Sequence, residues 1–266
     1  MGLGRVQRLA AAGDQLLTPS MPTITADRLR CSYRRNLVLD DVCFRVDGGI
    51  TAVIGANGAG KTTLLGAIAG LIRPQSGSIE VTFGSRRSGI GLLPQSPIPT
   101  SLLSTAAYVE YFGLLAGLNR RRVSRAAAGA LAQVGLADRA RQRTSALSGG
   151  MFRRLCLAAA IVADPGVLLL DEPTVGLDPV ARVRFRELVT ALAADRTILI
   201  ATHLLDDVAA LADRALVLNG RRLVFDGTLD QLRATPGVAA AAGAGAGVES
   251  ALIAMLGGSE SAGEDG

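Results

Sequence analysis

Lysine and histidine are almost missing from this chain of 266 residues: Lys61 and His203 are the single examples, and every other member of the 28 Lys+Arg residues is arginine. Tryptophan is absent, and only 6 Phe and 3 Tyr are present. With 49% hydrophobic residues the chain can still bury one sizeable core, or a core with a small subdomain. Cys31, Cys43 and Cys156 lack metal-ligand spacing and leave one thiol over in any disulfide scheme, which excludes a disulfide scaffold and suits reduced thiols in a cytosolic compartment. Long apolar runs are also missing, because Asp164-Pro165 and Asp171-Glu172 cut them well short of the ~20 residues of a spanning helix. The opening "MGLGRVQRLAAAGDQLL" has no continuous apolar stretch, so a signal peptide is not expected, and Met21 offers an alternative start. Net charge is +5, but the arginines at 120–122 and 139–143 fall on helical patterns and read as solvated faces. No nucleic-acid partner is expected.

What is present alternates short apolar runs with helical stretches. "GGITAVIG", "VLLLDEP" and "RTILIATH" have the continuous apolar character of buried strands, and "KTTLLGAIAGL" has that of a helix. This pattern predicts an α/β fold in which a mostly parallel sheet is flanked by helices. "ALVLNGRRLVFDG" adds an antiparallel β portion, a hairpin turning at Asn219-Gly220. Strand patterns vanish over about 97–157, where Ala/Leu/Arg helices suggest a helical subdomain inserted in the core. Residues 1–22 are expected to be a flexible extension, 23–235 the main domain, and 236–266 a flexible Ala/Gly-rich tail with one short helix around Glu249 to Leu256.

"GANGAGKTT" spans Gly55 to Thr63 and fits G-x-x-x-x-G-K-[ST] after a strand and at a helix start. Backbone N–H groups around Gly55, Asn57, Gly58 and Gly60 can converge on phosphate oxygens. Lys61 can reach the β and γ phosphates, and Thr62 and Thr63 open the helix, with the Thr62 hydroxyl suited to Mg2+. The core is therefore read as that of a P-loop NTPase. In "VLLLDEP", Asp171 can hold Mg2+ and Glu172 can deprotonate an attacking water, the alternative being two acids that cap a helix before Pro173. A guanine-specific Asn-Lys-x-Asp element is excluded, since the one lysine is committed to phosphate.

"ALSGGM" before "DEP", then "VGLDP" and a lone His in "ILIATHLLDD", resembles the ATP-binding subunit of ABC transporters over about residues 23–233. The resemblance implies ATP and Mg2+ as ligands and an ATPase activity. Tyr33 matches the aromatic that stacks on adenine, and Gln95 the Q-loop glutamine that contacts Mg2+ and the lytic water. Asp178 matches the loop that couples two sites, and His203 the switch histidine on the γ-phosphate. Read alone, His203 would more often be a structural histidine at a strand end, and Gln95 a plain loop residue. Ser148, Gly149 and Gly150 match the signature presented to the nucleotide of the other subunit, which implies a head-to-tail dimer with a second copy or a homologous subunit. Met151 stands where that signature usually has Gln, and Met followed by basic residues resembles the branch serving bacterial drug and antibiotic exporters.

A separate transmembrane permease is implied, with the chain held peripherally at the cytoplasmic face of the membrane. Tyr108, Tyr111 and Phe112 offer a docking face for it, or a piece of core. Import, and non-transport roles in iron–sulfur assembly or on DNA or ribosomes, stay open beside export. The stretch from Lys61 to Ser148 is too short, and lacks the heptads, for the long coiled coil of DNA-tethering members.

Overall fold

The computed structural model describes residues 21–33, 36–84, 87–97, 102–235 and 252–253. The chain begins with strands β1 (Thr23–Tyr33), β2 (Asn36–Asp47) and β3 (Gly49–Ile54), followed by helix α1 (Lys61–Ile68), β4 (Ser76–Thr82) and β5 (Ile90–Leu93). Helices α2 (Thr105–Leu115), α3 (Arg120–Gln133) and α4 (Gly149–Ile161) come next with no strand among them. Then β6 (Val167–Asp171), α5 (Pro179–Ala193), β7 (Thr197–Thr202), α6 (Leu205–Leu211), β8 (Arg214–Asn219), β9 (Arg222–Thr228) and α7 (Leu229–Arg233) complete the described fold.

Two sheets result. The larger runs β5-β6-β7-β3-β8-β9, parallel throughout except for the β8–β9 hairpin, and the smaller runs β2-β1-β4, antiparallel. Every residue of β6 and β7 is buried, which is why these strands read as unbroken apolar runs. Each buried leucine of Leu168–Leu170 contributes about 1.5–3 kcal/mol relative to exposure. Helix α1 lies between the sheets, its Leu64, Leu65 and Ile68 sharing a cluster with Ile24, Leu39 and Leu199. On the other face Leu155 and Leu157 of α4 and Phe185 of α5 pack with Leu168, Leu170 and Ile200.

The hairpin differs from expectation by one residue. Asn219 pairs with Arg222, so the loop is Gly220-Arg221, and both have the positive φ (55° and 72°) that a two-residue type I′ turn requires. Asn219 stays in the ladder, and glycine takes the first left-handed position at no steric cost. The extension and the tail lie outside the described residues except for Met21, Pro22, Leu252 and Ile253. Of these Leu252 is helical and fully buried beside Ile54, Val208 and Leu232.

Candidate active site

Four neighbouring parallel strands deliver the expected catalytic residues to one edge. Ile54 of β3 is level with Thr202 of β7, Ala201 of β7 with Asp171 of β6, and Leu170 of β6 with Leu93 of β5. The chain leaving each strand's carboxyl end is thus the phosphate loop, His203, Glu172 or the segment holding Gln95. Ligands of open parallel sheets bind along that edge.

The phosphate loop rises from β3 and enters α1 through Gly60, whose φ of 104° is unfavourable for any other residue. A Cβ there would also sit 2.6 Å from Leu39 Cδ2, so the loop and β2 pack too closely for a side chain. Asn57 and Gly58 form the exposed crest. Lys61 Nζ donates to the Gly55 carbonyl at 2.8 Å and to the Ala56 carbonyl at 3.2 Å, and lies 3.8 Å from Glu172 Oε1. Burial lowers the Lys61 pKa, and the negative charges of Glu172 and Asp171 act against that shift.

Asp171 ends β6. Burial raises its pKa, opposed by the hydrogen bond from the Thr62 hydroxyl, while the neighbouring Glu172 charge pushes further upward. Asp171 Oδ1 and Glu172 Oε2 are buried and have no hydrogen-bond partner among the described residues. Two such oxygens beside a threonine hydroxyl form a hard, anionic donor set that fits Mg2+. The helix-capping alternative does not hold: α5 begins at Pro179, and its cap is Asp178, whose Oδ1 accepts from the Ala181 N–H at 2.9 Å.

Glu172 adopts a left-handed backbone, φ 45°, which costs a non-glycine residue on the order of 1–3 kcal/mol. Three contacts hold it: its N–H donates to the Ala201 carbonyl at 2.8 Å, and its carbonyl accepts from Arg153 and from the Val175 N–H at 3.4 Å. The turn aims the carboxylate at His203, with Oε1 at 2.8 Å from Nδ1. With Glu172 ionised, Nδ1 carries the proton, which leaves Nε2 for another partner.

The structure therefore brings Lys61, Thr62, Asp171, Glu172 and His203 into direct contact. Gln95 follows β5 as an exposed loop residue whose backbone carbonyl accepts from Arg153. Ser148 and Asp178 sit at exposed helix starts. The Ser148 hydroxyl accepts from the Met151 N–H at 3.3 Å to cap α4. Gly150 packs against the Asp178 segment, since a Cβ on it would lie 3.0 Å from Ala181 Cβ. Met151 packs against the apolar core, so no polar contact takes the place of a glutamine's. Tyr33 ends β1 with 66% of its surface exposed. Tyr108 is core, its ring tilted against Phe112 and edge-on to Phe152, whereas Tyr111 and Phe112 are exposed.

Two buried groups were not anticipated. Arg153 donates to five backbone carbonyls around the site. Asp207 of α6 accepts from the Thr174 hydroxyl and from Arg186, and so ties the chain after Glu172 to α5 and to the helix after His203. Neither stands out in a sequence with this much arginine and with a neighbouring Asp206.

Known proteins resemble this chain throughout the region. The family model described as ABC transporter matches residues 39–175. A daunorubicin resistance ATP-binding protein of Streptomyces coeruleorubidus is 39% identical over 223 residues, 80% of this chain and 71% of that protein. The Nod factor export ATP-binding protein I of Rhizobium etli is 36% identical over 209 residues, 74% of this chain and 65% of that protein. A solved structure of an ATP-binding subunit of an ABC transporter superposes with a TM-score of 0.69 at 28% identity, over 79% of this chain and 92% of that one.

Proposed function

The chain belongs to the ABC transporter family as an ATP-binding, ATP-hydrolysing subunit, and from this we propose that it drives an exporter by closing head to tail on a second ATPase subunit while docked to a separate membrane permease. The observation that carries the chemistry is the meeting of Lys61, Asp171, Glu172 and His203 at the carboxyl ends of adjacent strands. The names of the drug-resistance and Nod factor export relatives support the outward direction. No described helix is long and apolar enough to cross a membrane. The proposed site is the cytoplasmic face, held by the permease. Tyr111 and Phe112 supply an exposed aromatic docking face on α2. Residues 23–235 form the ATPase domain, with 97–157 as its helical subdomain, and Pro22 and Leu252 from the flanking segments join it.

Lys61 and the amides of Gly55, Asn57, Gly58, Gly60, Thr62 and Thr63 hold the phosphates. Thr62 and Asp171, with Gln95 from the loop after β5, would hold Mg2+, which would supply positive charge to offset that of the nucleotide's phosphates. Glu172 takes a proton from the attacking water, and His203 fixes the carboxylate through Nδ1 and offers Nε2 to a γ-phosphate oxygen. Asp178 links the two sites of the dimer. Ser148, Gly149 and Gly150 serve the nucleotide on the other subunit's phosphate loop.

Tyr33 stacks on adenine. Base stacking on an aromatic side chain contributes about 1–3 kcal/mol, so Tyr33→Ala should raise the Kd for ATP about tenfold or more and Tyr33→Trp should not. Equal affinity in Tyr33→Ala, measured by calorimetry, removes the residue from the site. The transport role is tested by fractionation: the chain should enter membranes when coexpressed with a permease of an ABC exporter that it serves and stay out otherwise. Retention on ribosomes or DNA, whether or not the permease is present, would overturn the transport role.

A further inference from the structure

Arg153 lies on α4, which Ser148 caps, and is buried to 7% exposure. Its guanidinium reaches two separate segments. Nη1 donates to the carbonyls of Pro94 at 3.2 Å and Gln95 at 3.1 Å, Nε to that of Pro173 at 2.8 Å, and Nη2 to those of Asp171 at 3.0 Å and Glu172. All five acceptors belong to the chain that carries Gln95 or to the chain that carries Asp171 and Glu172. A guanidinium is a rigid planar fork of five N–H donors, whereas an ammonium is a compact charge with three. Burying a cation is costly unless its surroundings satisfy it, and here the surroundings are the carbonyls of a strained catalytic turn. The left-handed φ of Glu172 is thereby pinned from both sides, by Arg153 at its carbonyl and by Ala201 at its N–H.

We infer that Arg153 is a positioning residue, which locks the backbone of Glu172 and of Gln95 to the helix that begins at the signature and so sets the general base relative to the water it activates. The inference rests on the proposed roles of Glu172 and Ser148.

The test separates docking from chemistry. Arg153→Lys keeps a buried charge on an aliphatic stem but cannot bridge both segments. Arg153→Met removes the charge as well. ATP affinity, ATP-dependent dimerisation of the full chain and single-turnover hydrolysis with Mg2+ are measured for each, with Glu172→Gln beside them. Arg153→Lys should bind ATP within about twofold of the unaltered chain and still dimerise on ATP, while hydrolysing about tenfold more slowly or worse, as expected for loss of an interaction that matters only in the transition state. Should Arg153→Met fail to fold, Arg153→Lys decides alone. Near-normal hydrolysis in Arg153→Lys, or affinity and dimerisation falling in step with hydrolysis, overturns the positioning role and leaves Arg153 a packing residue. Loss of hydrolysis in Glu172→Gln with none in Arg153→Lys overturns Arg153 alone. Full hydrolysis in Glu172→Gln overturns the base that Arg153 is said to position, and both readings with it.

Discussion

Replacing Glu172 by Gln should leave ATP binding intact and cut hydrolysis by about 10²–10⁴-fold, the contribution of a positioned acid–base group. The substitution preserves the side chain's size, so the left-handed turn and the Arg153 contact to its carbonyl are retained. What it removes is the charge that accepts a proton. It also removes the negative charge 3.8 Å from Lys61 Nζ, while the amide Oε1 can still accept from His203 Nδ1. Lys61 then has one fewer competing anion, so its attraction for phosphate should hold or increase. Affinity and turnover are expected to part company, with ATP Kd unchanged or lower and single-turnover rate collapsed. Ordinary turnover in Glu172→Gln would return Glu172 to a structural role and leave the base unidentified.

Legibility of the fold followed burial. β6 and β7 are enclosed on both faces and appear in the sequence as continuous apolar runs, so their place in a parallel sheet could be read directly. The small sheet was harder. β1 alternates from Ile24 to Ala26 and then loses register around Arg28, which has a φ of 43°, so its period of two is broken just where a sequence pattern would need it. Its partner β4 is exposed or half-buried along its length, and only Ile79 and Val81 mark its inward face. The hairpin was recognised, but Gly220 takes the first central position of the turn rather than the second, a difference of one residue that composition does not resolve.

The site was legible where residues are rare. Lys61 and His203 stand alone in composition, and the structure brings both to Glu172. Arg153 could not be picked out among so many arginines. Its partners are main-chain carbonyls, which every residue possesses and which leave no mark in the sequence. Asp207 is one of two adjacent acids, and only the phase of α6 decides that it, rather than the exposed Asp206, turns inward to Thr174 and Arg186. Tyr108 and Tyr111 have the same ambiguity on α2, where one is core and the other surface.

The second large effect concerns Ser148. A head-to-tail dimer builds each site from one subunit's phosphate loop and the other's signature, so two crippled chains should restore each other. Lys61→Ala removes a charge-assisted phosphate contact of about 1.5–3 kcal/mol and so weakens binding at its own loop. Its signature stays whole. Ser148→Arg puts a bulky side chain at the exposed start of α4 and also removes that helix's cap, at a cost of about 0.5–2 kcal/mol, so its fold is checked by thermal melting first. Its phosphate loop stays whole. Mixed dimers then hold one site with both defects and one with neither. The decisive measurement is ATP-dependent dimerisation and single-turnover hydrolysis of the mixture against each variant alone. The composite site predicts that the mixture dimerises and hydrolyses ATP where neither variant does. A mixture no better than its components in both assays would contradict it, because each chain would then be building its site by itself.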